Sequence, residues 1–276
     1  MESTNPEVTL ITADRRKWWL DLRELYHYRE LLFVLTARDL KVRYKQTALG
    51  VIWAVLQPLA NMLLFTLIFG RLAKLPSDGF PYPIFVFAGL LPWTFFANSI
   101  SASAESIVGA STLITRVYFP RLIIPLASVC TALVDFAIAF FILLILMLFY
   151  GVGWSLNLLL APVLIIALGF TALGVGTMLA ALNVSYRDFR YLVPFGVQFW
   201  MFASPVVYPS SMIPEKWRWL YHINPVAGII DGFRAVFLGS PLDWTTVSTS
   251  MLASVVIFLI GVMMFDRAER RFADVI

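Results

Sequence analysis

Six long apolar runs, separated by shorter polar stretches, dominate the pattern of residues along the chain. A bilayer core about 30 Å thick takes roughly 20 helical residues to cross, and backbone groups inside it must bond within their own segment. The pattern therefore predicts an all-α membrane protein with six transmembrane helices. The predicted spans cover residues 51–70, 84–105, 122–150, 157–183, 192–208 and 246–265, of which the fifth is the shortest.

Lysine and arginine are distributed unequally between the segments that join these runs. If the N-terminus lies inside, 16 of the 21 basic residues fall in inner segments and 5 in outer ones. Cytoplasmic loops of membrane proteins carry the excess of Lys and Arg. The distribution therefore predicts that both termini are cytoplasmic. The outer basic residues are Arg71, Lys74, Lys216, Arg218 and Arg234.

Two segments outside the spans have patterns of their own. Residues 20–45 predict an amphipathic interface helix, which anchors the chain to the membrane, docks a cytoplasmic partner, or does both. The outer segment 209–245 is rich in Trp and Pro and too interrupted to span, which predicts re-entrant or interfacial helices. The apolar positions of the N-terminal helix are Leu22, Leu25, Leu32, Phe33 and Leu40.

Composition narrows the functional classes. The chain is 60% hydrophobic and 14% charged, whereas soluble domains carry about 25% charged residues. No G-x-x-x-x-G-K-[ST] motif is present, because the lysines are followed by Trp18, Val42, Gln46, Leu75 and Trp217. The chain therefore lacks this phosphate-binding loop for ATP. One cysteine, two histidines and no HExxH motif predict no metal site.

Amide and aromatic side chains recur in three of the predicted spans. An amide in hydrocarbon needs a partner or a wet cavity. Aromatic faces stack on the C–H faces of sugars, and amides bond to hydroxyls. Single aromatics in membrane helices mostly serve packing, but their co-occurrence with amides favours a ligand-contacting set. Its members are Trp53, Gln57 and Asn61 in the first span, Trp93, Phe96 and Asn98 in the second, and Gln198, Phe199 and Trp200 in the fifth.

Asp135 is the one carboxylate well inside a predicted span. Intramembrane acids are costly and are often functional. With no second titratable group near it in the sequence, a hydrogen bond to a neighbouring helix is favoured over proton coupling. Ala172, Gly176 and Ala180 form a stripe of small residues that predicts close helix packing.

A short basic link, TRVYFPRLIIP at residues 115–125, joins the second and third spans on the predicted cytoplasmic side. Pro120 and Pro125 each fix φ and disfavour helix in the residue before them, which predicts a firm bend. Apolar anchors and arginines here can engage a partner protein, or they only mark the inner face of the membrane. These residues are Arg116, Tyr118, Phe119 and Arg121.

Six stretches of the chain, in order, resemble the membrane subunits of polysaccharide-exporting ABC transporters, the type-2 permeases of O-antigen, capsule and teichoic-acid export. They are RDLKVRYKQTALGVIWAVLQPL at 38–59, FAGLLPWTFFANSI at 87–100, LITRVYFPRLIIP at 113–125, LNVSYRDFRYLVP at 182–194, SPVVYP at 204–209 and NPVAGIIDGFR at 224–234.

The resemblance implies a single transmembrane permease domain over residues 1–276. It consists of a cytoplasmic amphipathic and gate region at 1–48, a six-span bundle at 49–265 and a cytoplasmic tail at 266–276. Two copies would form a homodimer with a channel lined by the first, second and fifth spans.

The same resemblance places functional segments along the chain. It implies an interface helix at about 20–37, a gate segment at 38–48 that contains Arg38 and Lys41, and re-entrant external helices at 209–241. The coupling element to a separate ABC ATPase, present in two copies, would lie around Ser106–Pro120. The residues predicted to couple to the ATPase are Arg116, Tyr118, Phe119 and Arg121, together with Arg38 and Lys41 of the gate segment.

The implied function is a transporter subunit that is not itself an enzyme and holds no cofactor, since ATP is bound by the partner. Its cargo would be lipid-linked polysaccharide, O-antigen first, carried across the cell inner membrane. Partners would be a second copy, the ATPase, the glycan and membrane lipid, with no nucleic acid. Alternatives are a permease for capsule, teichoic acid, drug or lipid, an ion-driven secondary transporter, and a membrane glycosyltransferase using Glu105 and Asp188.

Overall fold

The computed structural model describes residues 22–45, 50, 52–153, 156–186 and 188–275, and the regular elements among them are helical. Residues 1–21 and 46–49 of the predicted amphipathic and gate region lie outside the described residues. The helices are α1 (Leu22–His27), α2 (Arg29–Lys45), α3 (Ile52–Phe65), α4 (Tyr82–Gly109), α5 (Ser111–Arg116), α6 (Ile123–Phe149), α7 (Ala161–Ser185), α8 (Phe189–Phe202), α9 (Arg218–Ile223), α10 (Pro225–Leu238) and α11 (Trp244–Val275).

Shorter helical turns extend or connect several of these elements. The helix α3 continues as a π-helix over Thr66–Leu72, and a 3₁₀ turn at Leu156–Leu160 leads into α7. Two further 3₁₀ turns, at Ser210–Met212 and Glu215–Trp217, precede α9.

Five helical stretches within the described residues are long and apolar enough to cross a membrane. They coincide with five of the six predicted spans, so the prediction of a multi-pass, all-helical membrane protein is confirmed. The stretches are Ile52–Leu72, Tyr82–Gly109, Ile123–Phe149, Asn157–Ser185 and Trp244–Glu269.

The predicted fifth span has a different structure. Helix α8 has 14 residues, which is about 21 Å of helix against a hydrocarbon core of about 30 Å. Residues 203–208 turn instead of continuing the helix, because Pro205 has no N–H to donate and disfavours helical φ/ψ at Ser204. The prediction that residues 203–208 are helical is therefore wrong. That the chain has a sixth membrane span stays a prediction.

Helix α4 is the centre of the bundle, and α6, α7 and α10 pack around it. Four successive residues, Ile84 to Phe87, are all buried, as expected for a helix that is covered on every side. Its partners α6 and α7 are apolar helices of similar length, α10 is half as long, and together the four helices form much of the main hydrophobic core.

Small residues allow the closest helix contacts in the bundle. A Cβ on Gly176 would lie 2.7 Å from the Cβ of Ser103 in α4, and one on Gly174 would lie 2.7 Å from the backbone oxygen of Ile257 in α11. Ala172, Gly176 and Ala180 are all buried. The small-residue stripe of α7 therefore serves close packing, as the sequence predicts.

A second hydrophobic cluster joins the other ends of these helices. It brings Leu35 of α2 together with Phe119, Ile124 at the start of α6, and Phe265 and Phe272 near the end of α11. Leu25 and Leu32 pack against its edge, whereas Phe33 is exposed. The predicted amphipathic helix is thus helical in its described part, and α2 lies lengthwise against α6.

The outer segment folds into short helices, of which α10 is the most deeply buried. Its start follows from Asn224, whose side chain accepts from the Val226 N–H, and from Pro225 in the first turn. Its end follows from Gly239, which adopts the left-handed conformation with φ +80°. A re-entrant position of these helices in the membrane stays a prediction.

Candidate functional site

A cavity of about 530 Å³ lies between α3, α4 and α6 and is bordered by the end of α2. Its apolar wall contains Phe87, Leu91, Phe95 and Phe136. Polar side chains from all four helices face the same space. They are Arg43, Tyr44, Trp53, Gln57, Asn61, Thr94, Asn98, Ser101, Glu105 and Asp135.

Helical spacing explains why the polar side chains line up. Trp53, Gln57 and Asn61 recur every four residues and so share one face of α3. Thr94, Asn98, Ser101 and Glu105 in the same way follow one stripe along α4. The two stripes face each other across the cavity, so four of the nine predicted channel residues are brought together: Trp53, Gln57, Asn61 and Asn98.

Three other predicted channel residues pack against other helices of the chain. Phe96 is fully buried and Trp93 nearly so, and their ring centroids are 5.6 Å apart. Trp200 stacks edge-on against Phe96 at 5.1 Å and donates its indole N–H to Oδ1 of Asn224 at 3.0 Å. In this conformation Trp93 and Phe96 present no surface to a ligand.

The remaining two, Gln198 and Phe199, lie on the outer surface of α8. Phe199 is 69% exposed, and it shares an uncovered apolar face with Leu192, Phe195 and Phe202. The structure therefore separates the aromatics of α8 from the cavity, and their assignment to a channel surface stays a prediction.

Asp135 has partners that the sequence did not reveal. One carboxylate oxygen accepts a hydrogen bond from Nη1 of Arg43 and the other from the hydroxyl of Tyr44, both from α2. Burial, together with the hydrogen bond to Asp135, raises the pKa of Tyr44 to about 12. Asp135 is thus hydrogen-bonded to a neighbouring helix, which is the role that the sequence favoured.

The link between α5 and α6 borders a second cavity of about 470 Å³. Tyr118 is 72% exposed, and Arg116 also faces outward. Phe119, predicted as an anchor for a partner's groove, is instead buried in the second cluster and cannot fill a partner's groove in this conformation. Pro120 lies in the non-helical link, as the predicted bend requires. The bend does not extend to Pro125, which lies in the first turn of α6, where a missing N–H is tolerated.

The other basic residues of the predicted coupling set differ in how they are engaged. Arg121 donates to the backbone oxygen of Glu269 in α11, and its Nε lies 3.8 Å from Oε1 of that residue. Arg38 bonds to Oδ1 of Asp39 next to it, at 2.8 Å and 3.0 Å. Lys41 is exposed on α2.

A buried arginine organises the outer segment, and sequence reasoning missed it. Arg234 is 4% exposed, and it donates to the backbone oxygens of Val206 at 2.7 Å and Tyr208 at 3.2 Å. Its guanidinium lies 3.8 Å from the ring centre of Phe85. Non-helical carbonyls inside a protein need donors, so Arg234 makes the turn after α8 possible.

Two residues of α4 complete this arrangement. The hydroxyl of Tyr82 donates to the backbone oxygen of Val207 at 2.7 Å. Gly89 leaves room for the turn, because a Cβ there would lie 2.6 Å from the oxygen of Val206. The signal in the sequence that could have revealed this network was Arg234 itself, the single arginine in the largely apolar run that forms α10.

Within the described ranges, no three His, Cys, Asp or Glu side chains form a group that could hold a metal ion. The polar groups that line the α3–α4–α6 cavity are amides, hydroxyls, an indole, the Arg43–Asp135 ion pair and the Glu105 carboxylate, which can bind a polar ligand.

The sequence model of ABC-2 type transporters matches residues 30–238, from α2 to the end of α10. The chain belongs to the ABC-2 type transporter family. The α3–α4–α6 cavity and the Arg234 network fall within the matched range. The second cavity does so too, except for the groups that α11 contributes.

Relatives of this ABC-2 permease cover almost its whole length. The O-antigen export system permease protein RfbA of Myxococcus xanthus is 34% identical over 257 residues, which is 92% of this chain and 98% of the relative. The protein of that name from Klebsiella pneumoniae is 30% identical over 248 residues, 90% and 95% of the two chains. The polysialic acid transport protein KpsM of Escherichia coli is 25% identical over 260 residues, 87% of this chain and 93% of the relative.

Proposed function

We propose that this ABC-2 permease is the channel-forming subunit of an ATP-driven exporter of lipid-linked polysaccharide, with O-antigen as the cargo, in the cell inner membrane. The observation that carries the proposal is near full-length similarity to permeases named for O-antigen export. Similarity to a polysialic acid transport protein supports the broader class of glycan cargo and makes capsule polysaccharide the second candidate.

The chemistry of the α3–α4–α6 cavity supports a glycan substrate. A sugar offers hydroxyls to amides and C–H faces to aromatic rings. Gln57, Asn61 and Asn98 supply amides on two facing helices, and Trp53 supplies an indole at the same wall. A volume of about 530 Å³ falls in the range of small-molecule sites, about 300–1,000 Å³.

We further propose that two copies of the chain enclose the channel. The faces of α3 and α8 that the protomer leaves uncovered are apolar and aromatic, with Leu63, Phe195 and Phe199 each more than 60% exposed. A second copy seated on them would place the two cavities side by side. Export of a long polymer needs such a continuous path.

Energy is supplied, in this proposal, by two copies of a separate ABC ATPase that dock beside the link between α5 and α6. The chain has no phosphate-binding loop of the G-x-x-x-x-G-K-[ST] type. Tyr118 and Arg116 face outward at this link, while Phe119 and Arg121 tie it to α11 through the second cluster and Glu269. Force applied at the link would therefore reach the last helix.

The cavity hypothesis is tested by replacing Gln57 and Asn61 together with alanine in cells that depend on this permease. Loss of two hydrogen bonds of about 1 kcal/mol each lowers export at least about tenfold, and lipid-linked glycan accumulates in the cytoplasm. The control is Leu252→Ala on an exposed face of α11, which borders neither the cavity nor the proposed contact between copies. Normal export by the double variant at a normal protein level contradicts the proposed path.

The cargo and the energy source are tested by two separate measurements. Removal of the permease is expected to cause cytoplasmic accumulation of a glycan; accumulation of a drug or a lipid instead identifies one of the alternative cargoes. Pull-down from native membranes is expected to recover a separate ATPase with the permease. A functional permease isolated without any ATPase contradicts the exporter mechanism and favours ion-driven transport.

A further inference from the structure

Three polar side chains from two distant parts of the chain meet at the wall of the α3–α4–α6 cavity. Arg43 and Tyr44 of α2 each donate to one carboxylate oxygen of Asp135 in α6. The side chain of Asp135 is 17% exposed and that of Arg43 is 40% exposed. All three border the cavity, so a ligand or water in the cavity can compete for their hydrogen bonds.

The contacts with Asp135 lie near the C-terminal end of α2, away from the part of the helix that packs in the second cluster. Near the middle of α2, Leu35 is buried in the second cluster with Ile124 and Ala127 of α6. Arg43 and Tyr44 lie two turns further on, just before the helix ends at Lys45. One part of α2 is therefore held by apolar packing, whereas its far end is held by polar contacts with Asp135.

The two kinds of contact respond differently to a polar ligand. Apolar packing in a closed cluster is not exchanged for ligand contacts. A charge-assisted hydrogen bond beside a cavity is strong enough to fix a helix end, but partial exposure limits its strength. The contact can therefore be exchanged without unfolding α2, which is the property of a latch.

We propose that Asp135 is a positioning residue that latches the C-terminal end of α2 across the α3–α4–α6 cavity, and that this latch opens when the cargo passes. The latch consists of Arg43, Tyr44 and Asp135. The proposal rests on the proposed function in one respect, namely that the cavity belongs to the cargo's path. The physical coupling of Asp135 to the end of α2 is independent of what the cargo is.

The opening of the latch is measured with a cysteine at Ala132, which borders the cavity one turn before Asp135. The background variant is Cys130→Ala, which removes the single native thiol. In this background, Asp135→Asn is expected to increase the rate at which a charged, membrane-impermeant thiol reagent labels Ala132→Cys by about tenfold, corresponding to about 1.4 kcal/mol. Arg43→Gln has the same effect, while Arg43→Lys keeps a cation and retains most of the protection.

Two controls separate a latch from general damage. Glu105→Gln removes a negative charge from the same cavity without touching the latch, and it is expected to leave the labelling rate unchanged. The exchange variant Arg43→Asp with Asp135→Arg restores the pair in reverse and returns labelling toward the starting rate. An unchanged labelling rate in Asp135→Asn, at a normal protein level, overturns the proposal.

A second measurement holds the latch closed and remains informative if Asp135→Asn folds poorly. Tyr44→Cys and Ala132→Cys, which both border the cavity, are joined by a reducible bifunctional thiol reagent in the Cys130→Ala background, so that Asp135 and Arg43 stay in place. Export is expected to stop and to recover when the link is reduced, while the ATPase stays bound. Normal export by the cross-linked protein overturns the proposal.

Failure of the latch and failure of the proposed function give different results. If the labelling and cross-linking results hold but glycan export is unaffected by removal of the permease, the latch stands and the cargo is different. If Gln57→Ala with Asn61→Ala abolishes glycan export but cross-linking does not, the function stands and the latch is wrong.

Discussion

Replacement of Arg234 by methionine tests whether the buried guanidinium holds the outer segment in place. Methionine keeps much of the volume but removes both donors. The backbone oxygens of Val206 and Tyr208, which accept at 2.7 Å and 3.2 Å, then lose their partner inside the protein. A buried acceptor left without a donor costs about 1–3 kcal/mol, so the pair costs about 2–6 kcal/mol.

Two further losses add to this figure. Asp231, whose Oδ1 lies 3.9 Å from Nη1 of Arg234, loses a neighbouring cation, and the contact with the face of Phe85 loses its charge, which is worth up to about 2 kcal/mol when desolvated. We therefore expect a destabilisation of about 4 kcal/mol, near the middle of the 3–5 kcal/mol typical of removing one partner of a buried ion pair.

The assay is thermal denaturation of the detergent-purified permease, followed by the amount of folded protein that remains on size-exclusion chromatography. At about 2–4 °C per kcal/mol for a chain of this size, the apparent midpoint is expected to fall by about 10 °C. Arg218→Met is the matched control on the same outer segment, where the side chain is 56% exposed, and is expected to change the midpoint by less than about 2 °C.

The result that refutes this reasoning is a midpoint for Arg234→Met within about 2 °C of the unsubstituted permease. The carbonyls after α8 would then find other donors, and Arg234 would not be the reason that the turn is stable. Tyr82→Phe provides an independent check, since it removes the donor to Val207 and is expected to cost about 1 kcal/mol.

Three further substitutions test other parts of the structure. Gly261→Leu is expected to abolish folding, because any Cβ at that position collides with the backbone of α7. Gly109→Ala has open space around the added Cβ and is expected to fold normally. Both outcomes are measured as the recovery of monodisperse protein. Phe119→Ala is expected to lower the amount of folded protein, at a cost of about 3–5 kcal/mol. Tyr118→Ala is expected to leave that amount unchanged and to reduce the ATPase recovered by pull-down. The reverse pattern contradicts the assignment of Phe119 to the core and of Tyr118 to the ATPase contact. The hydrogen bond from the Thr246 hydroxyl holds the pKa of Asp243 below its ordinary value of 3.8. The ionised Asp243 therefore stabilises the folded protein above that value, and this contribution is lost as the pH falls through the lowered pKa. Asp243→Asn is expected to make the melting temperature less sensitive to acid below about pH 4.

The sequence alone determined the spans because the length of an apolar run is a local property. Five of the predicted spans are helices of spanning length, and the stripe around Gly176 is a close helix contact. The bend at Pro120 and the family were also readable from the chain, because each depends on residue type and order. The cavity could be predicted in part, since Trp53, Gln57 and Asn61 share one helix face by their spacing alone.

The tertiary structure decided which of several similar side chains reach the cavity. Phe96 and Asn98 are two residues apart on α4, yet one is buried in the core and the other borders the cavity. Helical spacing separates them onto different faces, but only the positions of α3, α6 and α8 determine which face is open. The burial of Phe119, which removes it from any partner's reach, has the same origin.

Contacts between distant segments also lay beyond the sequence. Arg43 and Asp135 are 92 positions apart, and Arg234 binds carbonyls 26 and 28 positions before it. No local pattern encodes such pairs, because a hydrogen bond depends on where two helices cross and not on either helix alone. The end of α8 shows the same limit: apolar residues 203–208 continue the run, but a proline and the donors of Arg234 and Tyr82 allow the backbone to turn there instead.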